Sequence, residues 1–366
     1  MSATANETVK TTEIGLVLQG GGALGAYEYG GIIGLLDLID EEMSKGHAVT
    51  LKVVTGVSIG AINAACVVGA RDRADSRKRL TALWDDLIIT TPPFLPPQIG
   101  RDLSLFGVQH FYRMRPDVLL TPRWTYLYDT APLLRTLAGR VDFGALNASA
   151  TTFVITAVDV ESGELTRFAN RDVGKTKATV IAPNHVLASG RLPPQFPCTG
   201  IRNDTTVHHY WDGSIVDNTP LGDVIDAFDG GRDVRRLIVI MNLFPAAAKL
   251  PTTFAEVNDR IDQLRFGNRL RQDKSTAEQF NALIAIVDAL AQRLPHGLPA
   301  EYADAVNKFK LVETVEIALT ADMAFNDPYG FRDFSRDGVE QRGKAGRDLT
   351  LKALRSRFAS AAAALH

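Results

Sequence analysis

The chain has 366 residues, enough for one large domain or for a domain with a helical extension. Its 40 Lys and Arg nearly cancel 42 Asp and Glu, and a net charge of −2 argues against bulk nucleic-acid binding. Apolar residues make up 45% of the chain, enough to build a core, yet no run is apolar for long enough to span a bilayer. Any membrane contact is therefore expected to be peripheral. Cys66 and Cys198 show no metal spacing and cannot make a disulfide scaffold, which fits a reducing, cytoplasmic compartment. Residues 1–12 are polar and lack the apolar segment of a signal peptide; a disordered tail is expected over residues 1–13.

Residues 14–18, Ile-Gly-Leu-Val-Leu, read as a buried strand, broken by the glycine-rich run 19–25. From Ala26 to Met43 apolar residues recur at helical spacing: Tyr29, Ile32, Ile33, Leu35, Leu36 and Ile39. A β-branched run, 51–55, then leads into Gly56-Val57-Ser58-Ile59-Gly60, and the small residues Ala61, Ile62, Ala64 and Ala65 follow. The first sixty residues are thus a βαβ unit with two turns at the carboxyl edge of a parallel sheet, the edge where open α/β folds bind ligands.

The second turn is a Gly-x-Ser-x-Gly between strand and helix. That geometry strains the serine backbone, lifts its hydroxyl above the sheet and aims a helix N-terminus at it. The glycines flank the turn because a Cβ on either side would crowd it. The first turn, with Gly20, Gly22 and Gly25, also satisfies a dinucleotide fingerprint. A nucleotide site needs an acid at the end of the second strand, and Ser58 stands there instead. The glycine amides fit an oxyanion site better: the N–H groups of Gly21 and Gly22 are expected beside the Ser58 hydroxyl.

Further along, residues 76–87 read as helix. The run 91–97, Thr-Pro-Pro-Phe-Leu-Pro-Pro, excludes helix and central strand. Residues 92–128 are rich in large apolar groups and read equally as a connection on the core or as a cap over an apolar pocket. Residues 151–158 and 164–168 form a strand pair across a Glu-Ser-Gly turn. A short helix over 184–189 ends at Gly190, and strands follow at 207–211 and 237–241. After Pro251 apolar residues recur at helical spacing, with one more strand at 312–319. A terminal helix over 347–365 has an apolar face suited to the parent domain; its basic residues also suit an anionic bilayer.

A serine hydroxyl needs a base. His47, His110, His185, His208, His209, His296 and His366 carry no recognisable signature, so a histidine base stays open. Asp212, at the end of an apolar run and before Gly213-Ser214, can be held at the same edge as Ser58; an ordinary Asp-Gly turn is the alternative.

Three ordered motifs resemble the patatin-like phospholipases: Gly20-Gly21-Gly22-Ala23-Leu24-Gly25, Gly56-Val57-Ser58-Ile59-Gly60 and Asp212-Gly213-Ser214. Residues 188–197, Ala-Ser-Gly-Arg-Leu-Pro-Pro-Gln-Phe-Pro, and the stretch 212–221 are also similar to the family. The resemblance covers roughly residues 14–241. It implies a three-layer α/β fold with a mostly parallel central sheet flanked by helices. It also implies a Ser58–Asp212 dyad without histidine, an oxyanion hole from Gly21 and Gly22 with Gly20 shaping the turn, and hydrolysis of lipid acyl esters through an acyl-enzyme with no metal or cofactor. The chain departs from the pattern twice: Leu24 stands where the family often has Arg or Lys, and Ser214 where Gly or Ala is usual. The expected organisation is a catalytic domain over 14–250 and a mostly helical extension over 251–366. The expected function is a lipid acyl hydrolase acting on a lipid or acyl ester, beside two rivals: an acyltransferase using the same acyl-enzyme, and a non-catalytic lipid-binding protein.

Overall fold

The computed structural model describes residues 11–89, 99, 103–104, 106–117, 124–203, 205–229, 234–244, 246–294, 298–299, 301–302, 306, 309–320 and 331–363. The run 91–97, most of the tail expected over 1–13 and the end of the helix expected over 347–365 lie outside these.

β1 (Thr11–Leu18) and β2 (Val49–Gly56) are joined by α1 (Gly25–Ser44) and pair in parallel. Their carboxyl halves are buried on both faces, as central parallel strands must be. α2 (Ile59–Val68) leaves the serine turn and α3 (Arg73–Leu87) follows, its N-cap Asp72 accepting the Asp75 N–H at 2.8 Å. The aromatic stretch forms a small antiparallel sheet of β3 (Gly107–Val108), β4 (Tyr112–Met114) and β5 (Tyr128–Asp129). Phe111 and Tyr112 are buried against Phe196 and Phe334, so this part of the stretch packs on the core. α4 (Ala131–Arg140) and α5 (Phe143–Ala148) precede β6 (Thr152–Asp159) and β7 (Leu165–Ala169), the hairpin read from the sequence. α6 (Pro183–Ser189), β8 (Thr199–Asn203), β9 (Thr206–Asp212), α7 (Leu221–Ala227), β10 (Val234–Asn242), α8 (Phe254–Ala291), β11 (Glu313–Ala318) and α9 (Arg336–Ala363) complete the order.

The sheet runs β11-β10-β1-β2-β6-β9-β8, with β7 also on β6. The five strands from β11 to β6 are parallel, and β7, β8 and β9 are antiparallel additions. β2 pairs β6 along Thr152–Ile155, and β9 pairs it along Ala157–Asp159. β7 overlaps both stretches from the opposite edge of β6. β2 and β9 therefore share one edge and meet end to end: β2 stops at Gly56 opposite Ile155, and β9 arrives from the other direction and stops at Asp212 opposite Ala157.

Alternation along the strands feeds two cores. Leu16 and Leu18 pack with Leu35, Trp84 and Leu354 on one face; Val17, Ile238 and Ile240 pack with Leu221, Val224 and Leu270 on the other. The result is a three-layer α/β fold with a largely helical C-terminal region that also supplies β11 to the sheet. Among the described residues no helix is long and apolar enough to cross a membrane.

α9 begins at Arg336, earlier than the apolar periodicity indicates, and lies across α1 at backbone contact. A Cβ on Gly30 would sit 1.7 Å from the Gly343 carbonyl oxygen, and one on Gly346 would sit 1.9 Å from that of Tyr27. Neither neighbour is a flexible side chain. Gly30→Ala and Gly346→Ala are each expected to destabilise the protein by about 1–3 kcal/mol, although alanine favours helix. Urea unfolding reads this directly, and an unchanged midpoint would contradict so close a crossing.

Candidate active site

The serine turn is locked by its neighbours. The Val57 N–H donates to the Leu18 carbonyl at 3.1 Å, and the Gly60 N–H to Val57 at 2.8 Å. A Cβ on Gly60 would lie 2.7 Å from the Leu18 and Gln19 carbonyl oxygens, and one on Gly56 would lie 2.5 Å from Gly60 itself. Ser58, between them, takes φ 55° and ψ −122°, the one non-glycine residue at positive φ among the described residues. Strain of this kind persists only where packing over-determines it. The Ser58 N–H is spent on Ser189, whose carbonyl and hydroxyl oxygens each lie 3.1 Å away. That leaves the hydroxyl above the sheet at the N-terminus of α2.

The glycine turn lies beside it. A Cβ on Gly20 would be 2.8 Å from the Ser58 Cβ. The Gly20 N–H donates to Asn218 Oδ1 at 2.8 Å, and Asn218 Nδ2 returns a bond to the Gly20 carbonyl at 3.2 Å. Gly20 thus shapes the turn and has no N–H to spare. The Gly21 and Gly22 N–H groups have no hydrogen-bond partner among the described residues. Gly22 holds φ 54°, a value at which a Cβ is strained.

Asp212 closes the group. It is 1% exposed and ends β9, opposite Ala157. Its N–H donates to the Arg191 carbonyl at 3.1 Å, and its Oδ1 accepts the Ser214 N–H at 2.9 Å. Oδ2 is buried with no regular hydrogen bond. Burial pushes the Asp212 pKa up to about 6, and hydrogen bonding from Ser58 and from Ser214 pulls the other way. Ser214, a departure at sequence level, thus adds a polar contact to this carboxyl. The five residues expected to act, Gly20, Gly21, Gly22, Ser58 and Asp212, lie together at the carboxyl edge.

The described histidines lie elsewhere. Ring nitrogens of His47, His208 and His209 lie within hydrogen-bond reach of Glu42, Asp159 and Glu161. His185 Nδ1 accepts the Ala182 N–H, and His110 is exposed. None of these is hydrogen-bonded to Ser58 or Asp212; His296 and His366 lie outside the described residues. No group of three or more His, Cys, Asp or Glu among the described residues is arranged to hold a metal ion.

Sequence reasoning missed the supports. Gln19, wholly buried, donates its N–H to Glu28 Oε1 at 2.6 Å and its Nε2 to Thr219 Oγ1 at 2.6 Å, and its Oε1 accepts the Leu243 N–H at 2.8 Å. Glu28 is buried beneath the turn, and desolvation pushes its pKa well up. Asn218 and Thr219 fall in the 212–221 stretch that resembles the family. That stretch was the available signal, but their partners are about two hundred residues away.

No curated protein is significantly similar to this chain. Among solved structures, VipD from Legionella pneumophila is 15% identical, with a TM-score of 0.40 over 95% of this chain and 67% of that one. The type III effector ExoU is also 15% identical, with a TM-score of 0.35, and the chain spans 53% of its length. ExoU in its complex with SpcU from Pseudomonas aeruginosa is 19% identical over 81% of this chain and 60% of that one, with a TM-score of 0.29. The patatin-like phospholipase model matches residues 16–225, from within β1 to within α7, more than half of the chain. The chain therefore belongs to the patatin-like phospholipases, a family of lipid acyl hydrolases.

Proposed function

We propose that the protein is a serine acyl hydrolase that cleaves acyl esters of lipids, with Ser58 as nucleophile and Asp212 as its base. The observation that carries this reading is the end-to-end meeting of β2 and β9, which sets a buried carboxyl against a strained serine. In this reading the Ser58 oxygen attacks the acyl carbonyl carbon as its proton passes to Asp212. The carbonyl oxygen becomes an oxyanion and accepts the Gly21 and Gly22 N–H groups. Collapse breaks the ester bond, and the departing alkoxide takes the proton from Asp212, leaving an acyl-serine. Water, deprotonated by the same carboxylate, repeats the sequence and releases the fatty acid. The chemistry uses no metal or cofactor. The catalytic unit is residues 14–250, with 251–366 an extension, and contact with a lipid surface is peripheral.

A carboxylate is ordinarily a weak base, and raising its pKa strengthens it while leaving it ionised at neutral pH. Burial supplies that shift here. The same burial opposes folding. Because the folded pKa lies above the ordinary 3.8, this group favours the fold most at low pH, and that advantage is lost as pH rises through about 6.

Ser58→Ala and Asp212→Asn are each expected to lower hydrolysis of phospholipid vesicles and of a short-chain p-nitrophenyl ester by roughly a thousandfold or more, with the fold intact by circular dichroism. Full activity in Asp212→Asn would reject the dyad. In wild type, kcat/KM is expected to fall with decreasing pH through about 6. Ser214→Ala removes a contact that lowers the Asp212 pKa, so its acid limb moves to higher pH; an unmoved limb would separate Asp212 from the titration. Asp212→Asn is also expected to be more stable than wild type at pH 8, by roughly 2–3 kcal/mol, with the gain gone near pH 4. Urea unfolding at the two pH values tests this, and equal stability at both would place little strain on the buried carboxyl.

A further inference from the structure

The glycine turn faces a mechanical problem. Its two unpartnered N–H groups must point one way, yet Gly22 holds a backbone angle that glycine can readily leave. The next residue, Ala23, is held at both of its backbone groups by a distant part of the chain. Its N–H donates to the Phe331 carbonyl at 3.0 Å. Its carbonyl accepts Arg342 Nη1 at 3.4 Å. The same Nη1 donates to the Asp333 carbonyl at 2.8 Å, and Nη2 to Asp333 Oδ2 at 3.3 Å. Arg342 is 5% exposed and Asp333 1%. Phe331 also presses on the turn: its carbonyl oxygen would be 2.4 Å from a Cβ on Gly22.

A buried guanidinium is retained only where its charge and donors are met, and here a carboxylate and two carbonyls meet them. It comes from the second turn of α9, which the glycine crossing locks onto α1. α1 in turn starts at Gly25, directly after the glycine turn. At position 24, where the family often carries Arg or Lys, Leu24 is buried and apolar. A cation therefore reaches this turn from a different part of the chain.

We propose that Arg342, held by Asp333, is a positioning residue for the oxyanion turn. It anchors Ala23 from α9, outside the family-matched residues 16–225, and so keeps the Gly21 and Gly22 N–H groups aimed at Ser58. The inference rests on the reading of Ser58 and the glycine turn given above. It gives the C-terminal extension a supporting role at the oxyanion turn.

The test compares full-length wild type, Arg342→Met, Arg342→Lys and Asp333→Asn. Two readouts are taken: steady-state kinetics on a p-nitrophenyl ester, and amide hydrogen exchange of a peptide covering residues 19–27 with a β10 peptide as reference. Loosened donors act on the transition state more than on the bound ester. Arg342→Met is expected to lower kcat about 10–100-fold with KM within about twofold. Exchange in 19–27 is expected to speed up while β10 stays protected, and Arg342→Lys falls between Met and wild type. A purely structural role would instead speed exchange in both peptides, or lower the amount of active enzyme without changing kcat per active site. Either result overturns the proposal, as does unchanged exchange or unchanged kcat in folded Arg342→Met. If that variant does not fold, Arg342→Lys and Asp333→Asn carry the same comparison. If wild type hydrolyses no ester, the Ser58 reading fails on its own, and exchange alone decides the role of Arg342: acceleration confined to 19–27 supports it and its absence overturns it.

Discussion

The turn that carries Ser58 lies in direct contact with the end of β1, and the whole edge of the sheet depends on that contact. Gly60 packs on the Leu18 and Gln19 carbonyls closely enough to exclude a Cβ, and the Val57 N–H donates to Leu18. The glycine turn begins one residue later, at Gly20, so its geometry and the serine's are fixed by one another. A side chain at Gly60 would push the two turns apart and separate the N–H donors from the hydroxyl. The strain at Ser58 is the counterpart of this packing: the backbone is held in an unfavourable angle because its neighbours leave no other.

The second constraint is long-range. Asp212 reaches Ser58 because β9 runs against β2 along one edge of β6. The carboxyl arrives buried, with one oxygen held by the Ser214 N–H and the other without a regular partner. Burial that raises its pKa makes it a better base and a less stable part of the fold. Under the proposed mechanism, function and stability are opposed at this residue, as they are at the strained serine.

Local rules made much of this legible in advance. The β-branched run before Gly56, the small residues after Gly60 and the helical spacing after Ala26 each encode their element within a few residues, and the structure follows them. β8 left less trace: it is a mostly polar edge strand interrupted by Gly200. The start of α9 was hidden for a specific reason. Gly338, Gly343 and Gly346 dilute its helical signal, and Gly346 is the one where the α1 backbone leaves no room for a Cβ. Asp212 was legible as an acid before a glycine turn, but its route to Ser58 depends on the pairing of β6 with two different strands, which no local pattern encodes. Gln19, Glu28, Asn218 and Arg342 escaped for the same reason: each acts through a partner far away in sequence.

The most direct test of the account is the intact mass of wild type, Ser58→Ala and Asp212→Asn after exposure to a fluorophosphonate, followed over time at pH 8 and pH 5. An activated Ser58 predicts one adduct on wild type, formed more slowly at pH 5, slow labelling of Asp212→Asn and none of Ser58→Ala. Equal labelling of Ser58→Ala, or no adduct on folded wild type at either pH, would contradict an activated serine at the carboxyl edge.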